Sequence, residues 1–219
     1  MAKLVLFGAG DIARLAHFYF STDTEHEVVA FAVDAEYRKA DSFMDLPLVG
    51  FDNVIDRYPP SSHRMFVAVS YAKMNRVRAG TYARAKAMGY ELVSYVSSHC
   101  TYLTHFPIGD NCFILEDNTV QPFVRIGNDV TMWSGNHIGH DSIIGDHCFI
   151  SSHVVISGHV RVGEGCFIGV NATVQNSVVI GEYTLVGAGA LITKATEPGS
   201  VHVGVRSQIS SRTSDQVDL

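Results

Sequence analysis

The amino-acid sequence predicts an α/β domain followed by a parallel β-helix, and two patterns carry this prediction. Over residues 1–97, apolar runs typical of buried strands alternate with stretches of helical periodicity, as in βαβ units around a parallel sheet. From residue 108 to residue 192, a period of six replaces this pattern, as it does in a parallel β-helix. Every sixth residue there is large and aliphatic: Ile108, Ile114, Val120, Ile126, Met132, Ile138, Ile144, Ile150, Ile156, Val162, Ile168, Val174, Ile180, Val186 and Ile192.

Composition narrows the class of protein further. The chain has 219 residues, of which 47% are apolar, so a sizeable core can form and a disordered chain is excluded. A net charge of −6 argues against nucleic acid as a partner. No apolar run reaches the roughly 18 residues of a membrane span, and the N-terminal sequence lacks the features of a signal peptide. We therefore expect a cytoplasmic protein without a membrane span.

The first of three predicted segments, residues 1–98, is expected to form a Rossmann-like domain. Apolar runs mark its strands, and a helical period marks the two segments between them. The predicted strands are Lys3–Phe7, Val28–Val33, Leu48–Phe51, Met65–Val69 and Glu91–Val96, and the predicted helices are Asp11–Tyr19 and Asn75–Met88.

A G-x-G-x-x-A motif, starting Gly8-Ala9-Gly10, joins the first strand to the first helix. Its glycines let backbone N–H groups approach a phosphate at the helix N-terminus. Asp34 ends the second strand, where a carboxylate can bind ribose hydroxyls. Ser70-Tyr71 follows a later strand, at the edge where parallel sheets bind ligands. The motif by itself fits a nicotinamide dinucleotide as well as the nucleotide of an activated sugar.

The second segment, residues 99–197, is expected to form about five coils of three hexapeptides each. The aliphatic residue of each hexapeptide points inward, and so does the small residue four positions later. Glycine directly follows eight of the fifteen aliphatic residues, which predicts corners that need positive φ or close backbone approach. Eighteen-residue spacing stacks Cys112, Cys148 and Cys166 as apolar fillers, and it stacks Asn118 on Asn136 as hydrogen-bonded partners inside the prism. Residues 198–219 are expected to form a loose polar tail.

A cluster of histidines between residues 137 and 159 raises the question of a zinc site. The spacing argues against one, because residues stack at intervals of 18 and no two of these histidines differ by 18. We therefore expect no metal, and we expect His147, His153 and His159 to be exposed corner residues. The cluster consists of His137, His140, His147, His153 and His159.

A βαβ domain ahead of hexapeptide repeats resembles the sugar acyltransferases with a left-handed β-helix, in the group of sialic acid O-acetyltransferases and nucleotide-aminosugar N-acetyltransferases. The resemblance extends from VLFGAGDIA through GAGALITKA, and IGHDSIIGDH at residues 138–147 looks like the active-site coil of that family. It implies a left-handed β-helix and a homotrimer with acetyl-CoA in the groove between neighbouring prisms. It also implies that the N-terminal domain holds a nucleotide-linked sugar.

The same resemblance assigns the catalytic residues. His140 matches the catalytic histidine of the family, and Asp141 stands where the family carries an acidic residue. An imidazole suits a general base at neutral pH, and an adjacent carboxylate would orient its ring. Because transfer would be direct, no nucleophilic serine or cysteine is needed.

Further residues fall where the family binds its substrates. Gly158, Val170, Ala188 and Phe149 match contacts with acetyl-CoA, although many relatives have histidine where this chain has Phe149. Trp133 stands near a position where many relatives have asparagine, and it could shape the acceptor pocket or stack on a sugar ring. Lys194 could meet CoA phosphates or remain a solvated lysine.

The leading hypothesis is an acetyl-CoA-dependent N-acetyltransferase acting on a nucleotide-linked amino sugar, for a surface polysaccharide or glycan. Sugar O-acetylation is the alternative within the enzymes. An NAD-dependent oxidoreductase is disfavoured because about 100 residues leave little room for a catalytic half beside the β-helix. A non-catalytic trimeric scaffold is disfavoured by the His140-Asp141 pair.

Overall fold

A computed structural model describes residues 2–216, and its N-terminal part is a five-stranded sheet with helices. The strand order is β3-β4-β2-β1-β5, with all pairs parallel except β3 and β4. The strands are β1 Lys3–Phe7, β2 Glu27–Val33, β3 Ser42–Phe43, β4 Leu46–Gly50 and β5 His63–Val67; the helices are α1 Asp11–Asp23, α2 Val54–Arg57 and α3 Arg76–Ala87, and Ala35–Tyr37 and Phe51–Asn53 form single 3₁₀ turns.

Strand β1 lies between β2 and β5 and is buried on both faces, which explains its continuous apolar run. Leu4 and Leu6 pack in a cluster with Phe20 of α1, whereas Val5 and Phe7 belong to a second cluster that includes Ala85 of α3. The sheet therefore has helices on both of its faces.

Residues 95–202 form a parallel β-helix built from strands of two residues. These strands are β6 Tyr95–Val96, β7 Thr101–Tyr102, β8 Phe113–Ile114, β9 Thr119–Val120, β10 Arg125–Ile126, β11 Thr131–Met132, β12 His137–Ile138, β13 Ile143–Ile144, β14 Phe149–Ile150, β15 Val155–Ile156, β16 Arg161–Val162, β17 Phe167–Ile168, β18 Thr173–Val174, β19 Val179–Ile180, β20 Leu185–Val186, β21 Leu191–Ile192 and β22 Val201–His202.

The strands form three faces, and three series of corners connect them. The docking face contains β6, β8, β11, β14, β17, β20 and β22; the second face contains β7, β9, β12, β15, β18 and β21; the third face contains β10, β13, β16 and β19. The first corner follows the docking face, at residues 133–135. The second corner follows the second face, at residues 139–141, and the third corner follows the third face, at residues 145–147. Each corner recurs every 18 positions.

The interior of the β-helix confirms the six-residue period. From Ile114 to Ile192 the aliphatic series is buried, and all three stacked cysteines are 0% exposed and free. The predicted asparagine ladder is also present: Asn118 Oδ1 accepts from the backbone N–H of Asn136 at 3.2 Å, and Asn136 Oδ1 accepts from Val154 N–H at 2.7 Å. These amides satisfy backbone groups that the prism would otherwise bury without partners.

The role of the corner glycines differs from the expectation in one respect. Positive φ occurs two residues later, at positions such as Asp129, His147 and Asn171, and not at the glycines that follow the aliphatic residues. Those glycines are required by close approach alone: a Cβ on Gly139 would lie 2.5 Å from the backbone nitrogen of Gly158 in the next coil. The prediction of close approach is therefore correct, and the prediction of positive φ is wrong.

Both ends of the β-helix extend beyond the predicted limits. Tyr95–Val96 pairs with β8 on the docking face, although we expected it in the N-terminal sheet, where only Leu92 of that segment bridges to Met65. At the other end, β22 pairs with β20, so residues 201–202 of the expected loose tail are ordered. Residues 217–219 of that tail lie outside the described residues. Among the described residues, no helix has the length and apolar character needed to cross a bilayer.

A buried ion pair joins α3 to the β-helix. Arg78 and Asp129 have side chains that are 1% and 0% exposed, and Arg78 Nε lies 3.1 Å from Asp129 Oδ1. Arg78 also donates to the backbone carbonyls of Asp129, His147 and Cys148 at 2.9–3.1 Å. Beside it, Asn75 donates to the carbonyls of Gly165 and Cys166. The corner carbonyls thus help to compensate for the desolvation of the guanidinium.

The Asp129 carboxylate also forms a hydrogen bond with His147, with Nδ1 at 2.8 Å from Asp129 Oδ2. The side chain of His147 is only 16% exposed, so the expectation of an exposed corner residue is wrong for this histidine. The reason is the N-terminal domain, whose Tyr82 ring packs against it at 5.4 Å. Burial acts to lower the pKa of His147, but the hydrogen bond and charge of Asp129 outweigh it and the pKa is raised.

We expect Arg78→Met to lower the free energy of unfolding by about 3–5 kcal/mol, because it leaves the Asp129 carboxylate buried without its cation. The control is Arg14→Met, which removes an exposed guanidinium 3.8 Å from Asp11 and should cost less than about 1 kcal/mol. Denaturant unfolding of both variants measures the difference. Equal losses would contradict a special role for the buried pair.

Because the pKa of His147 is raised in the folded state, its contribution to the free energy of unfolding depends on pH. This contribution is fully present below the unfolded-state pKa of about 6.5 and is lost as the pH rises through the higher folded-state value. His147→Asn should therefore cost more free energy of unfolding at about pH 5.5 than at about pH 8.5. His153→Asn is the matched control at an exposed corner with the same left-handed backbone. The same pH dependence in both variants would contradict the assignment.

Candidate active site

A cavity of about 770 Å³ lies at the carboxyl ends of β1, β2 and β5. This is the edge at which parallel sheets bind ligands, and the volume is typical of a small-molecule site. The cavity brings together all seven residues predicted to bind substrate: Gly8, Ala9, Gly10, Asp34, Ser70, Tyr71 and Trp133.

The loop after β1 requires glycine at its first position. Gly8 has a φ of +132°, and a Cβ on it would lie 2.5 Å from the carbonyl oxygen of Ala68. The loop then leads into α1, which begins at Asp11 and presents its N-terminus to the cavity. The charged residues of the lining are Asp11, Asp34 and Lys39. A bound phosphate would therefore depend on backbone N–H groups and on Lys39.

Asp34 lines the cavity, but its carboxylate already forms hydrogen bonds with Arg84. The Arg84 guanidinium binds it in a two-pronged contact, with Nη2 at 2.6 Å from Oδ1 and Nη1 at 3.1 Å from Oδ2. A ribose hydroxyl would have to share this carboxylate. The predicted ribose contact stays a prediction. Sequence reasoning did not find Arg84, because the two residues are 50 positions apart.

Tyr71 connects the cavity to the β-helix. Its ring packs against Phe149 and Phe167 at centroid distances of 4.9 and 5.0 Å. Phe149 lies on the docking face and is only 3% exposed. The structure therefore places Phe149 in the junction of the two parts of the chain, where it presents almost no surface to the expected acetyl-CoA.

Trp133 stands at the first corner and lines the same cavity. Its indole Nε1 is buried, and no hydrogen-bond partner for it lies among the described residues. The ring is thus held by packing rather than by a polar contact. Whether it stacks on a sugar remains a prediction.

His140 and Asp141 form a pair at the second corner. The Nδ1 atom of His140 lies 2.8 Å from Asp141 Oδ2, and both side chains are exposed, by 50% and 41%. With Nδ1 donating to the carboxylate, Nε2 is free to accept a proton from a bound group. The arrangement matches that of a general base and its orienting partner.

Gly158 lies one coil beyond His140, and its missing side chain makes room for the imidazole. A Cβ on Gly158 would lie 2.7 Å from His140 Nε2. The same Cβ position is 3.1 Å from Asn176 Oδ1, one coil further on. Sequence reasoning passed over Asn176, although its distance of 36 positions from His140 is twice the coil length. From Pro122 onward, the column at this corner is Pro122, His140, Gly158, Asn176 and Lys194.

The structure corrects the spacing argument about the histidines. His140 and His159 differ by 19 positions, yet their rings meet edge to face at a centroid distance of 4.9 Å. In the part of the chain that the structure describes, one group of three possible metal ligands is found, at His140, Asp141 and His159, with ligand atoms within 4.8 Å of one another. The expectation of no metal stays a prediction, but it no longer rests on spacing. His153 and His159 are exposed, as expected.

The other residues predicted to contact acetyl-CoA border the second face. Val170 and Ala188 stack at the first corner and are exposed, whereas Gly158 lies across the face at the second corner. Between them, Val155 and Leu191 expose apolar side chains, by 41% and 66%. The outward column of this face thus mixes polar and apolar residues: Thr119, His137, Val155, Thr173 and Leu191.

The cavity and the His140 pair lie at different corners of the prism. Trp133 borders the cavity at the first corner, strand β12 crosses the second face, and His140 follows at the second corner. Within one chain, the cavity and the base thus lie at opposite ends of a strand.

Comparisons with known proteins agree with this architecture. Residues 125–158 and 159–194 match the family described as bacterial transferase hexapeptide (six repeats). Acyl-[acyl-carrier-protein]–UDP-N-acetylglucosamine O-acyltransferases of Pseudomonas putida F1 and Pseudomonas entomophila L48 are 34% identical over 68 residues. This segment is 28% of the chain, which spans about a quarter (26%) of the length of these relatives.

Solved structures match over nearly the whole chain. The acetyltransferase domain of PglB from Neisseria gonorrhoeae FA1090 has a TM-score of 0.78 at 22% identity, covering 93% of this chain and 97% of that one. PerB from Caulobacter crescentus, in complex with CoA and GDP-perosamine, has a TM-score of 0.80 at 23% identity, covering 96% and 98%. WeeI from Acinetobacter baumannii AYE has a TM-score of 0.61 at 18% identity, covering 93% and 97%. The chain shares the fold of these proteins.

Proposed function

We propose that this chain, which carries the hexapeptide repeat of bacterial transferases, is an acetyl-CoA-dependent N-acetyltransferase acting on a nucleotide-linked amino sugar. The observation that carries the proposal is the His140–Asp141 pair, in which Nδ1 contacts the carboxylate and Nε2 lies 2.7 Å from the position of a Cβ on Gly158. A sugar amine needs a base of this kind to attack a thioester at neutral pH. The product belongs to a surface polysaccharide or another glycan.

In the proposed mechanism, Asp141 holds the His140 ring, and Nε2 accepts a proton from the acceptor amine. A bond forms between the amine nitrogen and the acetyl carbon, and the C–S bond of the thioester breaks. The proton passes from His140 to the leaving sulfur, so that CoA departs as its thiol. The imidazole is then neutral again for the next turnover.

The second face is the proposed binding surface for acetyl-CoA. Val155 and Leu191 give it apolar contacts for an extended arm, and Val170, Ala188 and Gly158 border it. Two structural neighbours support acetyl-CoA as the co-substrate: the acetyltransferase domain of PglB was solved with acetyl coenzyme A, and PerB was solved with CoA. Phe149 is left out of this surface because it is buried in the junction.

The cavity at Gly8–Gly10 is the proposed site of the nucleotide-linked sugar. Its place at the carboxyl edge of the sheet, its glycine loop and the N-terminus of α1 suit a diphosphate. The PerB structure, which contains GDP-perosamine, supports a nucleotide-linked amino sugar as the class of substrate. In this assignment the N-terminal sheet with its helices binds the nucleotide, and the β-helix, which runs from Tyr95 to His202, carries the chemistry.

We further propose that the protein works as a homotrimer in the cytoplasm. The cavity and His140 lie at different corners, and in this proposal a neighbouring copy brings its cavity to each base. The exposed apolar side chains of the second face, together with Val179 on the third, suit such contacts. Transfer to a sugar hydroxyl is the second candidate function, favoured by the O-acyltransferase relatives.

We expect His140→Gln to lower the rate of CoA thiol release by about 10²–10⁴-fold, because the general base is lost. Purified protein is offered acetyl-CoA with a panel of UDP-, GDP- and dTDP-linked amino sugars. Asp141→Asn, which keeps a residue suited to the left-handed backbone, should lower the rate less. His153→Gln, at another exposed corner, is the control. Full activity of His140→Gln would overturn the assignment of the base.

We expect Gly10→Leu to abolish binding of the nucleotide-linked sugar, because it adds bulk at the wall of the cavity. Nothing lies within 4 Å of a Cβ at Gly10, and its φ of −111° suits any residue, so the fold should be kept. Gly50→Leu is the matched control, with equally open space outside the cavity. Calorimetry with UDP, GDP and dTDP measures binding. Unchanged affinity in Gly10→Leu would place the nucleotide elsewhere.

A further inference from the structure

Two hydrogen-bond acceptors flank the bare Cα of Gly158. His140 Nε2 and Asn176 Oδ1 lie 2.7 and 3.1 Å from the position that a Cβ on Gly158 would take. His140 Nδ1 is engaged by Asp141, which leaves Nε2 as the accepting nitrogen. Among the described residues, no hydrogen bond joins Asn176 to His140, because Oδ1 of Asn176 and Nε2 of His140 are both hydrogen-bond acceptors.

The amide of Asn176 is oriented by its neighbour. Its Nδ2 donates to Ser177 Oγ at 2.9 Å, which leaves Oδ1 on the side of Gly158 and His140. Asn176 is exposed at a corner and does not contribute to the core of the β-helix. Its side chain is therefore available to a ligand, and its replacement should not unfold the prism.

The two possible classes of acetyl acceptor, amines and hydroxyls, differ in how many hydrogen-bond donors their reacting atom carries. A neutral amine carries two N–H groups, so it can donate one to His140 Nε2 and the other to Asn176 Oδ1. A hydroxyl carries one O–H. If it donates this hydrogen to His140 Nε2, Asn176 Oδ1 has no donor. Asn176 and His140 are exposed in the free protein, but bound substrates would exclude water from them. A desolvated hydrogen-bond acceptor without a partner costs free energy, and sites use this cost to reject analogues.

We propose that Asn176 is a specificity-determining residue that selects an amine over a hydroxyl acceptor. This inference rests on the proposed function. During transfer, His140 removes one hydrogen from the attacking nitrogen, and the other remains on the product amide and stays hydrogen-bonded to Asn176 Oδ1. The C–N bond forms, the thioester C–S bond breaks, and the proton taken by His140 goes to the CoA sulfur. The ester formed from a hydroxyl would have no hydrogen left for Asn176.

The test compares two acceptors on the same protein. One is the nucleotide-linked amino sugar that gives the highest turnover in the panel, and the other is the same molecule with a hydroxyl in place of the amine. The variants are Asn176→Leu, which removes the acceptor, and Asn176→Asp, which keeps it. Gln175→Leu, at the neighbouring exposed position, is the matched control.

We expect Asn176→Leu to lower kcat/KM for the amine by about tenfold relative to kcat/KM for the hydroxyl, as for one lost hydrogen bond. Asn176→Asp and Gln175→Leu should keep the preference for the amine. A change in general stability would lower both rates together and leave their ratio unchanged, so the ratio separates a specificity role from a structural one.

Three outcomes would overturn the proposal, and they are distinguishable. An unchanged ratio in Asn176→Leu would show that Asn176 does not choose the acceptor. A wild-type preference for the hydroxyl would refute amine selection while leaving acetyl transfer intact. No thiol release with either acceptor or with any member of the panel would refute the proposed function, and the inference with it.

Discussion

The stacking of residues at intervals of 18 is the constraint on which the β-helical part depends. Except at the ends of the three faces, each two-residue strand pairs in register with the strands one coil before and after it, so each position is repeated along the axis. Inward positions must therefore be aliphatic or small throughout, and any polar group there must find a partner in its own column, as Asn118 and Asn136 do. A substitution that changes the size of an inward side chain would disturb the neighbouring coils as well, because the interior is closely packed.

The same constraint acts less strongly on exposed corner positions, and the proposed chemistry lies at one of them. At the second corner, the side chains of Pro122, His140, Asn176 and Lys194 are exposed, so this position can differ between coils without changing the core. At the second corner, His140, Gly158 and Asn176 occupy equivalent positions in three successive coils. The repeat thus places the proposed base His140, the side-chain-free Gly158 and the amide of Asn176 in one column, one coil apart from each other.

The junction between the two parts relies on a different kind of interaction. Arg78 is fully desolvated, and its guanidinium is satisfied by Asp129 and by backbone carbonyls of the third corner. Such a pair contributes little net stability but strongly disfavours other arrangements, since any displacement would leave a charge buried without a partner. It holds α3 on the β-helix and thereby holds the cavity beside the first corner, where Trp133 lines it.

The sequence by itself determined the features that repeat or are local. The aliphatic period, the cysteine column and the asparagine ladder follow from spacing alone, and the GAG loop follows from adjacent residues. The tertiary structure decided the contacts between distant segments: Tyr95–Val96 joins the docking face, Tyr71 covers Phe149, and Arg84 engages Asp34. It also placed His159 beside His140, because side chains at a corner reach across one coil and one position. Periodicity specifies which residues share a column, but only the packed chain specifies which surfaces meet, since that depends on shape and buried charge rather than on spacing.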